Sequence, residues 1–187
     1  MDINVIHDIR RADRYELLQE VIQEHGVKIQ WWPAQFYAPA SFVGVSRAHR
    51  QIVRWAKERG LPMVCIAEDD FYFTAPGAWE YYLANIPAQF DLYLSMVYAG
   101  HIQEDGTVPD FTALTLYIVS ERFYDTFLAI PEFGHLDRML SVERPRHGNK
   151  FVVCQPFIAQ QRDGYSDQKR AYATYGHYLE GKTLFGF

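Results

Sequence analysis

The stretch MVCIA, residues 63–67, is apolar at every position and runs directly into Glu68, Asp69 and Asp70. A strand with one wet face alternates apolar and polar side chains, whereas an unbroken apolar run fits a central, parallel strand covered on both faces. Such a sheet needs helices between its strands, and the chain supplies them. INVI (3–6) reads as a strand, Leu17, Leu18, Val21 and Ile22 mark a helical face that stops near Gly26, and VKIQWW (27–32) returns to a strand. From Ser46 to Gly60, Ile52, Val53 and Ala56 face one way while Arg47, Arg50, Arg54 and Lys57 face another. Further strands are expected at 91–97, 113–119 and 151–154, with helices at 77–85 and 120–129, the second capped by Ser120. The expectation is an α/β fold with a Rossmann-type, mostly parallel central sheet flanked by helices. At 187 residues, 49% of them hydrophobic, the chain suits a single domain spanning 1–187.

Open parallel sheets bind ligands at the carboxyl ends of their strands, where the three carboxylates would lie. Adjacent carboxylates repel, and a divalent cation is the simplest partner that favours their ionised forms together. The competing reading is a solvated acidic turn or a helix N-cap. The buried strand before it and Phe71, Tyr72 and Phe73 after it weigh toward partial burial, where unpaired charge is costly.

A formal charge of −5 argues against nucleic acid as a partner. There is no signal-peptide pattern after Met1 and no run long enough to span a membrane, so a cytoplasmic location is expected, with peripheral attachment at the inner membrane left open. Cys65 and Cys154 lie far apart in apolar runs and read as buried thiols. Glycine-rich dinucleotide and P-loop signatures, the GxSxG elbow and HExxH are all missing. In DDFYFT, Tyr72 occupies the place of the second aspartate of a haloacid-dehalogenase phosphatase.

Four stretches, in order, resemble glycosyltransferase family 25, the lipooligosaccharide and collagen galactosyltransferases. DIRRADRYELL (8–18) is similar to the family's opening NL-x-x-R-x-D-R, with Arg11, Asp13 and Arg14 in place and Asp8 where asparagine is usual. GVSRAHRQIVRWAKERGLPMVCIAEDD (44–70) is similar to the G-x-x-x-SH helix leading into ILEDD, with Gly44 and His49 matching and Ala48 in place of serine. LTLYIVSERFYDTFL (114–128) with HLDRML (135–140), and QPFIAQQRDGYSDQ (155–168), complete the set.

The resemblance implies a GT-A-like fold and a metal-dependent transferase that moves a sugar, galactose by analogy, from a nucleotide sugar such as UDP-galactose to a glycan or lipooligosaccharide acceptor, with inversion. Mn²⁺ or Mg²⁺ is the implied cofactor, with Asp70 as first ligand and Glu68 touching metal or ribose; Asp69 enters as a weaker donor-site candidate. His49 is open between a nucleotide-pocket residue and a core histidine. Arg11 and Arg14, at the same sheet edge, either meet the donor or pair with Asp13 or Glu16. ERPRHGNK (143–150) reads as a basic loop, able to close over a diphosphate or simply solvated, and its His147 is a candidate third metal ligand. Asp137, in HLDRML, is the candidate base, with a helix-start residue or a partner for Arg138 as the alternative; Asp167 is next. Two rival functions remain open: a non-catalytic nucleotide- or glycan-binding relative, and a metal-dependent phosphoesterase.

Overall fold

The structure, a computed structural model, describes residues 1–167 and 170–187, with the side chains of 142–147 not described. In chain order the elements are β1 (Ile3–His7), α1 (Ala12–His25), β2 (Ile29–Pro33), α2 (Ser41–Glu58), β3 (Met63–Glu68), β4 (Phe71–Phe73), α3 (Ala78–Ala84), β5 (Leu92–Leu94) and β6 (Leu116–Ser120). After these come α4 (Tyr124–Ala129), α5 (Leu136–His147), β7 (Phe151–Val153), β8 (Ala159–Gln161), β9 (Gly164–Ser166) and β10 (Ala171–Ala173).

Six strands form the central sheet in the order β2-β1-β3-β6-β5-β7. β2, β1, β3, β5 and β7 share one direction, and β6 alone runs against them, antiparallel to both β3 and β5. The α/β expectation of a mostly parallel sheet flanked by helices holds. The apolar run of β3 is explained by two cores: Val64 and Ile66 pack with Ile52, Val53 and Ala56 of α2 on one face, while Cys65 and Ala67 pack with Leu18 and Val21 of α1 on the other. β6 divides the same way, Tyr117 and Val119 opposite Leu116 and Ile118. Cys65 and Cys154 are buried free thiols, and desolvation holds the Cys65 thiol well above its ordinary range.

Local chemistry sets the element ends. Gly26 ends α1 in the left-handed conformation (φ 61°), its N–H returning to the Ile22 carbonyl. Ser120 does not cap the following helix: a 3₁₀ turn at Glu121–Phe123 intervenes, and the Ser120 hydroxyl donates to the Phe90 carbonyl at 2.7 Å. The basic stretch at 143–150 is not a loop throughout. It continues α5 to His147, and the left-handed Gly148 (φ 61°) follows.

Candidate active site

β1 and β3 run side by side in the register Ile6↔Glu68, so the residues that follow, His7 and Asp69, meet at the sheet edge. His7 Nδ1 lies 2.9 Å from Asp69 Oδ2, and since a carboxylate only accepts, Nδ1 carries the proton. Asp69 also accepts from Arg14 Nη1 and from the Asp8 backbone N–H at 3.3 Å. Burial works to raise its pKa, but the His7 and Arg14 contacts outweigh it and hold the carboxyl below the usual range. Asp69 is therefore spoken for within the protein.

Glu68 and Asp70, two residues apart, share a different partner. Gln161 Nε2 donates to Glu68 Oε2 at 3.1 Å and to Asp70 Oδ1 at 3.3 Å. Gln161 is placed there by the β4–β8 pair, whose register sets Phe71 opposite Gln161. Asp70 is 7% exposed, and the cation near it, Arg14 Nη2 at 3.4 Å, is shared with Asp69. Burial first and the Glu68 charge second push the Asp70 carboxyl up to about 7, against the opposing pull of Arg14.

Glu68 opens onto a cleft of about 460 Å³ whose walls include His49, Tyr98, Asp137, Gln161 and Tyr175. His49 is buried, with Nδ1 2.7 Å from the Tyr117 hydroxyl and Nε2 3.6 Å from Glu68 Oε1. With the ring proton on Nε2, on the side of the Glu68 carboxylate, the Tyr117 hydroxyl, kept protonated by burial, is the donor to Nδ1.

Asp137 sits half-buried in the first turn of α5, on the wall of the same cleft. Its Oδ2 accepts from the Ala113 N–H at 3.0 Å and its Oδ1 from the Arg138 N–H at 2.8 Å. Ala113 has a φ of +88°, a conformation that costs energy for any residue with a Cβ, and the bond to Asp137 helps hold it there. Arg138 pairs through its side chain with Asp110 at 3.2 Å.

The arginines of the opening motif lie nearby but engaged. Arg11 grips Asp13 through Nε (2.9 Å) and Nη2 (2.7 Å), and its Nη1 reaches Asp167 at 3.0 Å. Asp167 is thus the far half of an ion pair that ties the segment after β9 to the start of α1. His147 lies outside the described side chains.

Three features escaped the reading of the sequence. Gln161 lay within the stretch 155–168 but carried no signal until β8 paired with β4. His7 is simply the residue after an apolar strand. Tyr98, Tyr175 and Tyr178 form an aromatic wall, with Tyr98 stacked on Tyr175 at 5.6 Å between centroids and tilted against Tyr178 at 4.9 Å. They come from two segments far apart in the chain.

The two carboxylates fit a hard divalent cation: both are oxygen donors, and buried Asp70 lacks a positive charge of its own. Among the described residues, no group of three or more His, Cys, Asp or Glu side chains is placed to hold a metal. A cation here would take its remaining ligands from substrate oxygens, as magnesium does where one or two carboxylates and phosphates share it.

No family model and no curated protein sequence matches the chain. Solved structures do resemble it. A glycosyltransferase involved in the glycosylation of the major capsid of PBCV-1 superposes with a TM-score of 0.55 at 10% identity, covering 96% of this chain and 100% of its own. A Drosophila β1,4-galactosyltransferase 7 mutant in complex with manganese, UDP-Gal and xylobiose gives 0.57 at 9% identity, covering 100% of this chain and 81% of its own. A mannosyltransferase from Pyrobaculum calidifontis in complex with GDP-Man and Mn²⁺ gives 0.55 at 10%, over 82% of this chain and 54% of its own. The fold is that of the GT-A glycosyltransferases. No helix among the described residues is long and apolar enough to cross a membrane.

Proposed function

We propose that the chain is a metal-dependent glycosyltransferase that moves a sugar, with inversion, from a nucleotide diphosphate sugar to an acceptor hydroxyl. The observation that carries this reading is the pair Glu68 and Asp70, joined by Gln161 at the carboxyl end of β3, with Glu68 and Gln161 lining the same cleft as Asp137. The GT-A fold supports it, and family 25 is the subgroup favoured by the sequence, with UDP-galactose as donor and a glycan or lipooligosaccharide as acceptor. The location proposed with it is the cytoplasm, with peripheral attachment at the inner membrane left open.

Glu68 and Asp70 would hold Mn²⁺ or Mg²⁺, which when bound offsets the charge of the departing diphosphate. Asp137 is assigned as the base. Its two backbone N–H bonds fix the carboxylate while leaving each oxygen capacity to accept again. The acceptor oxygen attacks the anomeric carbon as the bond to the diphosphate breaks, and the hydroxyl proton passes to Asp137. His49 lies beside Glu68, its Nε2 3.6 Å from Oε1. The tyrosine wall offers stacking faces for base or sugar.

The test is calorimetric titration of UDP and UDP-galactose with Mn²⁺ and with EDTA. UDP should bind at least about tenfold tighter with Mn²⁺, and Asp70→Asn should remove most of that gain. Equal affinity under both conditions would reject the metal role and favour a non-catalytic binding protein.

A further inference from the structure

The basic face of α2 takes no part in the cleft. Arg47, Arg50 and Arg54 fall three and four residues apart, on one side of the helix, and with Gln35, Gln51 and Glu132 they line a second cavity of about 420 Å³. Glu132 is the lone carboxylate of that wall. It takes Arg47 Nε at 3.0 Å and Arg50 Nη1 at 3.3 Å. Arg54 has no ion pair among the described residues, so three guanidinium groups meet one carboxylate and an excess of two positive charges remains.

Arg50 shows what is missing. Arg10 and Arg11 grip Asp8 and Asp13 through the Nε and Nη2 edge of the guanidinium, whose two N–H groups match a pair of oxygens. On Arg50 the Nε and Nη2 atoms are buried and have no hydrogen-bond partner among the described residues. Its side chain is 11% exposed, and leaving such donors unpaired is costly. Burial lowers the Arg50 pKa, Glu132 opposes that, and neighbouring Arg54 adds to it.

The opposite wall is rigid. Gly44 lets α2 pack against the backbone at Gln35, where any Cβ would lie 2.2 Å from the Gln35 carbonyl oxygen. Gln35 Nε2 donates to Gln51 Oε1 at 2.5 Å, which leaves the Gln51 amide nitrogen as a further donor. Arg47 and Arg54 are exposed and can swing to admit a ligand.

We propose that this cavity is an oxyanion site for a phosphate dianion, either inorganic phosphate or a phosphate monoester, held two-pronged by Arg50 and closed over by Arg47 and Arg54. The dianion matches the excess charge, and its several oxygens can meet the Arg50 edge and both rim arginines together. The site stands apart from the glycosyl-transfer reading, because none of its residues lines the cleft.

The experiment is calorimetric titration of the whole chain with inorganic phosphate in EDTA, at fixed ionic strength against chloride. Saturable binding of one phosphate per chain is expected. Arg50→Lys keeps the charge but loses the fork, and should weaken binding at least about tenfold. Arg54→Ala, at an exposed position where folding is not at stake, should weaken it at least about threefold, while Arg59→Ala, just past the end of the same helix and outside the cavity, should stay within about twofold. Glucose 6-phosphate binding about tenfold tighter than phosphate, with glucose itself silent, would identify a phosphorylated sugar as the source; equal affinity would identify free phosphate. Absence of saturable binding, or an Arg54→Ala protein that binds as wild type, would overturn the site. Asp70→Asn should bind phosphate normally, so failure of the transferase reading and failure of this one are told apart.

Discussion

Asp69 and Asp70 are neighbours, both buried, with opposite electrostatic settings. Asp69 has His7, Arg14 and a backbone N–H, and its carboxyl is held low; Asp70 has only a share of Arg14 and an amide, and its carboxyl is pushed up to about 7. Both lie in the turn between β3 and β4, which brings the Asp69 carboxylate to His7 and the Asp70 carboxylate to Gln161. Arg14 bridges the two sides, and removing it would leave Asp69 short of a cation. Arg14→Ala should therefore lower stability by about 3–5 kcal/mol, the cost of breaking a buried pair, whereas Arg11→Ala, whose partners are largely solvated, should cost about 1 kcal/mol or less. Urea denaturation of both variants checks this, and equal losses would refute it. At the same scale, Asp137→Asn should cut the transfer rate at least about 100-fold while leaving Mn²⁺-dependent UDP affinity within about twofold, because the amide keeps the shape but not the basicity. Transfer within a few fold of wild type would pass the role to Asp167.

At the scale of elements, α2 couples the sheet to the loop before it through Gly44. Gly44→Ala would drive a Cβ to 2.2 Å from the Gln35 carbonyl oxygen, and backbone cannot yield as a flexible side chain does. The expected loss is about 1–3 kcal/mol in thermal or urea denaturation, and a neutral substitution would mean that the 35–37 segment moves freely. Elements that bury a continuous or periodic apolar face were legible in the sequence: β3 as an unbroken run, α1 and α2 as stripes. The direction of β6 was not, because a strand covered on both faces looks the same running either way. β4 and β8 were too short to show a period, and Pro145 with Gly148 made the end of α5 look like a loop. The acidic edge of β3 could be read as a site for the same reason the strand could. Gln161 could not, since its place depends on long-range pairing.

For the whole molecule, the two sets of shifted carboxylates pull stability in opposite directions with pH. Asp8, Asp13 and Asp69 have lowered values, so their contribution is present above the ordinary carboxylate range and is lost as pH falls below it. Asp70 works the other way. Its folded value, raised to about 7 from an ordinary 3.8, means that between those limits the native state holds a proton the unfolded chain has released. Its contribution is full below the unfolded value and is lost as pH rises through the folded one. Metal-free protein should thus lose stability between about pH 4 and pH 7, by an amount on the order of a few kcal/mol. Asp70→Asn should flatten that slope and raise the melting temperature at pH 8, since the amide removes the ionisation without changing the shape. Comparing variant with wild type cancels the contributions common to both. Mn²⁺ should raise the wild-type melting temperature at pH 8 more than at pH 5, because protons compete with the cation for Asp70, and it should do little for Asp70→Asn. Melting curves at the two pH values, in EDTA and in Mn²⁺, decide the matter: parallel slopes for wild type and Asp70→Asn would show that the carboxyl at the end of β3 ionises freely and that the acidic edge has no need of a cation.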